Sequence, residues 1–529
     1  MIYGGVTAVE AYISGDGLRY LVEAIFSLLI VAGSIISSRA LKLGNILRIL
    51  GYVVALGIVA VQYFGFVMLV DELSALFTFL AAFLGLFASL YTVGYARAKF
   101  GNLSLQLYID LFALTMILLF FSRYLIEFVV FWVATEVVGF FVIIYEAIME
   151  GSKRAWRAGL RFLLVSMIPA DVSIMTLLAL ASINYAFGIP FNNLFIKGVF
   201  HPAITILVIV GFIAKAAVAP LHFWLPEAHS IAPAPGSALL SGMMVKMGIY
   251  GILRVLSMTD ANPEWLSWTL ITLGSVTIIY GGLQALVQAD IKRILAYSTT
   301  VYTSIMCVMI GLYVLSGDPT FIVSTYMYII AHAIFKEALF LDSGIVEAIA
   351  RTRVLENLGY ISKIAPTLSL LALVSVLSLI GIPPTAGFLS KLTMFLSIAE
   401  NVGLGGLYVV MLVIVAIGAA LSVGYSTRYL LAHWGRPEVP AREVGIERTS
   451  SNFKYMIVSE AAMALANIAF AFIALLVVPT LLTTLKTWLF QAYFILAMTA
   501  MILAITMLGF YQTLTRVRRE APWLGGAKP

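Results

Sequence analysis

The sequence predicts an all-α polytopic membrane protein of about fifteen transmembrane helices, and three observations lead there. Of its 529 residues, 62% are hydrophobic and only 11% are charged, against about 25% charged in an average soluble domain. Apolar runs long enough to cross a bilayer, for which about 20 residues suffice, recur along the chain with short polar breaks. Lysine and arginine gather in alternate breaks, the asymmetry that orients membrane proteins.

The runs place spans near 18–37, 46–70, 73–95, 105–121, 124–149, 162–186, 203–226, 233–258, 265–288, 291–313, 320–344, 364–398, 405–432, 456–481 and 486–512. The run at 364–398 is too long for one straight helix and contains "GIPPTAGFLSK". Two half-helices joined at Pro383–Pro384 are therefore expected. The run at 203–226 has the same character, with its break at Pro220.

The basic residues fit this map. With loops numbered by the spans they join, odd loops carry Arg39, Lys42 and Arg48, then Arg97 and Lys99, then Lys153, Arg154, Arg157 and Arg161. They continue with Lys292 and Arg293, with Arg351, Arg353 and Lys363, and with Arg436, Arg442, Arg448 and Lys454. Even loops carry only Arg123, Lys197, Arg254 and Lys486. Odd loops are thus expected in the cytoplasm and the N-terminus outside. Fifteen spans put the C-terminal tail, with Arg516, Arg518, Arg519 and Lys528, inside. The N-terminal stretch lacks a basic segment, so no cleaved signal peptide is expected. The chain reads as a single membrane domain, 1–529, in the cell membrane.

Composition also excludes functions. The one cysteine, Cys307, rules out a disulfide framework and any iron–sulfur cluster held by this chain's own thiolates. No haem-attachment, Walker or dinucleotide-binding motif is present, so no cofactor is expected. The net charge of +6 reflects topology, not nucleic-acid binding. Cys307 reads as a small core residue.

The charges inside the spans carry the functional argument. Five of the basic residues there stand out: Lys215, Lys246, Lys336, Lys391 and Arg428. Of the acids, Glu136 and Asp171 stand out, with Glu337 beside Lys336. An unpaired charge at mid-membrane costs about 2.5–3.5 kcal/mol on insertion scales. Five lone bases would cost on the order of 10–15 kcal/mol, comparable to the stability of a whole domain. They must face partners, water or a cavity, and ionisable residues at that depth mark ion and proton routes.

Glu136 lies mid-run in "FVVFWVATEVVGFFVI", so its partner must come from another helix. Asp171 follows Pro169, which frees a carbonyl, and the acid serves either the route or local backbone. Lys215 precedes the break at Pro220. Lys246 and Tyr250 stand four apart on one helical face, as do His332 and Lys336. A histidine suits a proton relay because its unperturbed pKa is near 6.5. His222 and His229 match no metal-site spacing, so no metal is expected; His222 remains a candidate on the ion path. Arg428, near a span end, reads as snorkelling. Desolvation disfavours a charged ammonium and a nearby carboxylate favours it, so moving one against the other works as a proton valve. A helix broken at mid-membrane frees backbone groups that can hold water or ions. Two broken spans in corresponding halves point to repeats, 105–258 and 265–432, with 456–512 as flanking helices. Five spans per unit, an odd number, would make the repeats inverted.

The stretches "KAAVAPLHFWLPEAHSIAPAPGSALLSGMMVKMGIYGILR", "QADIKRILAYSTTVYTSIM" and "GIPPTAGFLSKLTMF" resemble the antiporter-like membrane subunits of respiratory complex I. The same family includes Mrp-type sodium/proton antiporter subunits and the large membrane subunits of energy-converting hydrogenases. The similarity covers roughly residues 70–430. It implies a glutamate on helix five, matched by Glu136, and a lysine on broken helix seven, matched by Lys215. A helix-eight lysine, a helix-eleven histidine and lysine, and a helix-twelve terminal base match Lys246, His332, Lys336 and Lys391. Asp171 is similar to an acid found in some members. The resemblance implies two inverted five-helix repeats and a proton or sodium route. In that route Glu136 and Lys215 switch, Lys246 and His332 link, and Lys336 with Lys391 form the exit. It further implies membrane and peripheral partner subunits that supply redox energy, or, in the Mrp alternative, transport driven by ion gradients alone. The longest members carry a lateral helix after the core. Only about 17 residues follow the last span here, so no such brace is expected.

Overall fold

A computed structural model describes residues 2–65, 69–196, 202–258, 263–435 and 453–481. Sixteen principal helices build it. They are α1 (Ile2–Ser37), α2 (Leu41–Tyr63), α3 (Glu72–Phe100), α4 (Ser104–Phe120), α5 (Leu125–Ile143), α6 (Lys153–Ile183), α7 (Pro202–Lys215) and α8 (Trp224–Ile231). There follow α9 (Ala234–Ser257), α10 (Glu264–Val287), α11 (Ile291–Ser316), α12 (Thr320–Ala350), α13 (Pro366–Ile380), α14 (Ala386–Glu400), α15 (Gly406–Trp434) and α16 (Phe453–Leu481). Every expected span through 456–481 coincides with one helix or one broken pair. The last, 486–512, lies outside the described residues, as does the basic tail.

Local chemistry sets the ends. Asp71 caps α3 by accepting from Ser74 N at 2.9 Å, and the helix stops at Gly101 with φ +69°. Asp290 caps α11 through Lys292 N at 2.8 Å, and Gly317 ends it with φ +71°. Short polar N-caps and left-handed glycines are how helices start and stop cheaply. The second span ends earlier than the sequence suggested, at Tyr63 instead of residue 70. The Gln62 side chain folds the chain back there, bonding Leu69 N and Val70 N at 3.1 Å and Val70 O at 2.5 Å.

Among the described residues, ten helices are long and apolar enough to cross a bilayer on their own. The others are the two broken pairs, the short α4, and α12, whose 31 residues include His332, Lys336, Glu337, Asp342 and Glu347. Burial separates the layers. In the apolar windows of α9 and α11, 94% and 89% of residues are inside the protein, against 28% in α1 and α15. The centre is therefore α9, α11 and α12, and the outer helices turn leucine, isoleucine and valine toward lipid.

Both expected breaks are present. Between α7 and α8 the chain leaves helical geometry over residues 216–223, around the cis Ala219–Pro220 bond. Between α13 and α14 it does so over residues 381–385, around cis Pro383–Pro384. Glycine lets each break pack closely. A Cβ on Gly248 would fall 2.3 Å from Phe212 O and 2.6 Å from Ala216 N, so α9 sits directly on the broken end of α7. A Cβ on Gly387 would fall 1.7 Å from Ser378 O, holding the halves α13 and α14 together.

Ion pairs lace both ends. At the end bearing the odd loops, Glu347 meets Lys99 at 3.0 Å and Lys292 at 3.3 Å, and Lys99 meets Glu146 at 2.7 Å. At the other, Arg19 meets Glu127 at 2.6 Å, Arg123 meets Asp16 at 3.1 Å, and Arg254 meets Asp71 at 2.5 Å. One basic residue is not where the sequence reading put it: Arg48, read as a loop residue, is buried in α2 and pairs with Asp110 at 3.2 Å. Arg428, half-buried near the end of its span, reaches the end of α10 and donates to Leu286 O and, at 2.9 Å, to Gln288 O. It thereby caps the otherwise unsatisfied carbonyls at the C-terminal end of α10.

Candidate ion pathway

The broken end of α7 presents Lys215 to α5. Its Nζ lies 2.5 Å from Glu136 Oε1, and both side chains are fully buried. The partner that Glu136 required thus comes from the helix break. Two aromatic rings wall the ammonium, with centroids at 4.9 Å (Phe162) and 5.9 Å (Trp132), a cation–π setting that compensates part of its desolvation. Asp171, half-buried on α6, acts electrostatically on both members of the pair. Its electrostatic partners are thus the members of this group. Just before it, the turn Leu163–Met167 is a π-helix, a distortion common at functional sites.

Lys246 lies on α9, directly after a second π-turn, Leu240–Met244. The wider turn leaves carbonyls for its ammonium, which donates to Ser241 O at 3.1 Å and Gly242 O at 2.5 Å. Its third partner is His332 Nδ1 on α12 at 2.8 Å. His332 stacks on Tyr302 with centroids 5.3 Å apart. Its Nε2 and both Glu337 oxygens find no hydrogen-bond partner among the described residues. Glu337 Oε2 would lie 3.5 Å from a Cβ on Gly242, the residue whose carbonyl accepts from Lys246.

One turn along α12, Lys336 donates to Leu295 O at 2.8 Å and to Ser298 Oγ on α11. Lys391 stands at the other break, where its Nζ donates to Ile380 O at 2.6 Å and Ser422 Oγ at 2.8 Å. Tyr302 joins these two regions. Its ring lies on His332, its hydroxyl donates to Leu379 O beside the break, and Ser422 and Tyr425 lie against that hydroxyl.

Two of the sequence candidates, Tyr250 and His222, sit apart from this axis. Tyr250 shares a face of α9 with Lys246, but its hydroxyl meets Ser74 Oγ at 3.0 Å, next to the Arg254–Asp71 pair. The Asp71 carboxyl is burdened by burial, yet Arg254 and the Ser74 amide hold it below the usual range. A cavity of about 260 Å³, lined by Asp71, Glu72, Ser74 and Arg123, opens beside it. His222 packs edge-on against Tyr280 at 5.0 Å, near the break. His229, fully buried, stacks on Phe340 at 4.7 Å, away from His222 but within the field of Lys336 and His332.

Sequence reasoning passed over Tyr302, Ser298, Ser422 and Tyr425. Hydroxyls are common in membrane helices, so only the three-dimensional neighbourhood singles these out. It also passed over Asp110, Asp342 and Glu460, although each is a charge within an apolar run and the signal was available. All three are buried. Asp110 is a satisfied structural partner of Arg48, with Tyr52 at 3.0 Å and Gln106 at 2.9 Å.

The profile of the family described as "NADH:quinone oxidoreductase/Mrp antiporter, TM" matches residues 122–421. Hydrogenase-4 component B of Escherichia coli is 29% identical over 337 residues, 61% of this chain and 49% of that protein. A Na(+)/H(+) antiporter subunit of Alkalihalophilus pseudofirmus is 33% identical over 350 residues, 62% of this chain and 42% of that protein. The chain spans about half the length of the curated relatives it matches. In the structure of the Mrp complex from Dietzia sp. DQ12-45-1b, a chain of the same fold aligns with TM-score 0.72 at 24% identity. The alignment covers 86% of this chain and 50% of that one. With the matched profile running from the start of α5 into α15, across both broken helices and every lysine of the axis, the chain belongs to the NADH:quinone oxidoreductase/Mrp antiporter transmembrane family.

Proposed function

We propose that this chain is a proton- or sodium-translocating subunit of a membrane-bound redox complex, and that ions move along the buried axis from Glu136 to Lys391. One observation carries the reading: Lys215, placed by a helix break, lies 2.5 Å from Glu136 with both groups shut away from solvent. A buried pair repays its desolvation only while its geometry holds. A small shift at the break therefore changes which member keeps a proton. Lys246 with His332, then Lys336, then Tyr302 and Ser422, carry the change toward Lys391. Asp171 biases the first pair. The cavity at Asp71, with Tyr250 beneath it and Lys246 one turn deeper, supplies a water-side mouth, and His222 stands at the first break.

In this reading residues 105–258 and 265–432 are two inverted five-helix units. Each holds one broken helix with one lysine at the break, and 456–512 flanks them. Redox energy comes from membrane and peripheral partner subunits. The likeness to hydrogenase-4 component B supports this. A second reading, an Mrp-type antiporter subunit driven by ion gradients alone, is favoured by the 33% identity to the Alkalihalophilus Na(+)/H(+) antiporter protein. Purifying the complex under mild detergent separates them. Copurifying subunits with iron–sulfur centres are expected. Small membrane subunits without redox centres would establish the second reading, and a chain that transports alone would sink both.

The odd loops lie in the cytoplasm, and with them the C-terminus, while the N-terminus faces outside the cell membrane. The native Cys307 is buried, so an introduced cysteine can be read cleanly. A Glu150→Cys variant should resist membrane-impermeant maleimide in intact cells and react after permeabilisation. Labelling in intact cells would invert the topology.

A further inference from the structure

Glu460 on α16 is fully buried, and neither of its carboxylate oxygens has a hydrogen-bond partner among the described residues. The axis from Glu136 to Lys391 makes no use of it. Its neighbour is a second buried acid, Asp342 on α12, whose field it feels. Asp342 Oδ2 accepts from Tyr429 Oη at 2.6 Å and lies 3.0 Å from His433 Nε2. His433 Nδ1 meets Ser369 Oγ at 3.0 Å. Asp342 Oδ1 is unpartnered among the described residues. Tyr91 on α3, donating to Leu341 O at 2.7 Å, faces the same group. The ionisable groups that interact with Glu460 are thus Asp342 from α12, Tyr91 from α3 and Tyr429 from α15; His433 stands behind Asp342, held in turn by Ser369 of α13.

The position of this cluster is informative. At 1.5 Å per residue, Asp342 lies about 12 Å inside the odd-loop end of α12, and Lys336 about 9 Å deeper. Glu460 lies about 10 Å inside the start of α16. Glu347, nearer the end of α12, reaches solvent at 17% exposure. One helix therefore carries Glu347, Asp342, Lys336 and His332 at successive depths from the surface to the centre.

We infer that Asp342, His433 and Glu460 form a proton-holding station between the odd-loop surface and Lys336. The inference rests on the relay reading above. A lone carboxylate in apolar surroundings costs far more than the neutral acid, whereas Asp342 Oδ2 is met by Tyr429 and His433. The resting station holds its transferable proton on Glu460. Passing the Glu460 proton to a neutral Lys336 leaves a carboxylate, and a proton from water at the odd-loop end replaces it. One proton enters for each that leaves, and no electron moves.

The test uses the assembled complex in proteoliposomes. Infrared difference spectra should show the carbonyl stretch of a buried protonated carboxyl, absent in Glu460→Gln and shifted in Glu460→Asp. Ion translocation should fall roughly tenfold or more in Glu460→Gln and recover partly in Glu460→Asp. Glutamine keeps shape and hydrogen bonding, so a purely structural Glu460 would tolerate it. An unchanged band, or normal transport in an assembled Gln variant, overturns the station. If Glu460→Gln does not assemble, Asp342→Asn carries the same expected loss of transport. Lys215→Ala distinguishes the two levels. Normal transport there sinks the relay itself, whereas its loss alongside a normal Glu460→Gln sinks only the station.

Discussion

Lys215→Ala is expected to lower ion translocation by roughly 10²-fold or more, the usual weight of a positioned proton-transfer group, while the protein still inserts and assembles. The pair it breaks is a 2.5 Å contact between two fully buried side chains. Removing one member of such a pair costs about 3–5 kcal/mol if the other stays charged. Glu136 can avoid that penalty by taking up a proton, and α9 packs on α7 at Gly248 through backbone atoms of Phe212 and Ala216, not through the lysine. Ion flux in proteoliposomes, measured against assembly by native gel, reads both quantities. Glu136→Gln should match the loss, because an amide neither carries nor exchanges the charge. Glu136→Asp should keep partial flux, because the shorter side chain retains the carboxylate. A variant that tolerates Gln but not Asp would show that shape at the break matters and charge does not. Normal flux in an assembled Lys215→Ala protein would remove Lys215 from the mechanism.

Lys391→Arg carries the second large effect. Lysine at this break holds Ile380 O at 2.6 Å and Ser422 Oγ at 2.8 Å, and arginine can supply both donors. The positive charge is therefore retained and assembly should be normal. What arginine cannot do is release a proton, because its guanidinium stays charged at any working pH. A relay base must release one in each cycle, so flux should fall on the order of tenfold or more. If electron transfer in partner subunits is tightly coupled to flux, it should slow in parallel. An anchoring cation would accept the change. Flux at the parent rate would thus identify Lys391 as an electrostatic brace, and the exit would have to be sought at Lys336.

Most of the architecture was legible because a membrane imposes simple rules. A segment crossing lipid must be helical and apolar over about 20 residues, so composition and length reveal it without an alignment. The breaks were legible for the same reason, since proline in an apolar run cannot continue the hydrogen-bond ladder. Ionisable residues at mid-membrane announce themselves by their cost, and Glu136, Lys215, Lys246, His332, Lys336 and Lys391 were visible that way. Asp342 and Glu460 were visible on the same ground and were passed over, in runs read as ordinary helices.

The sequence by itself therefore determined the helical class, the spans as far as 456–481, the two breaks and the charged residues that must find partners. The tertiary structure alone decided which partners they find. Glu136 and Lys215 are 79 residues apart in sequence and could have paired with several other charges; the close approach of α9 to α7 at Gly248 fixes the end of the break that brings them together. Tyr250 shares a helical face with Lys246, yet its hydroxyl is drawn one turn away to Ser74 and the Arg254–Asp71 pair. Tyr302 and Ser422 gain meaning only because α11 and α15 bring them between His332 and Lys391. Helical periodicity states which side chains share a face, and lipid demands that polar ones turn inward. Which inward-facing groups then touch depends on the rotation and depth of neighbouring helices, which are set by packing over the whole bundle and carried by no single stretch of sequence.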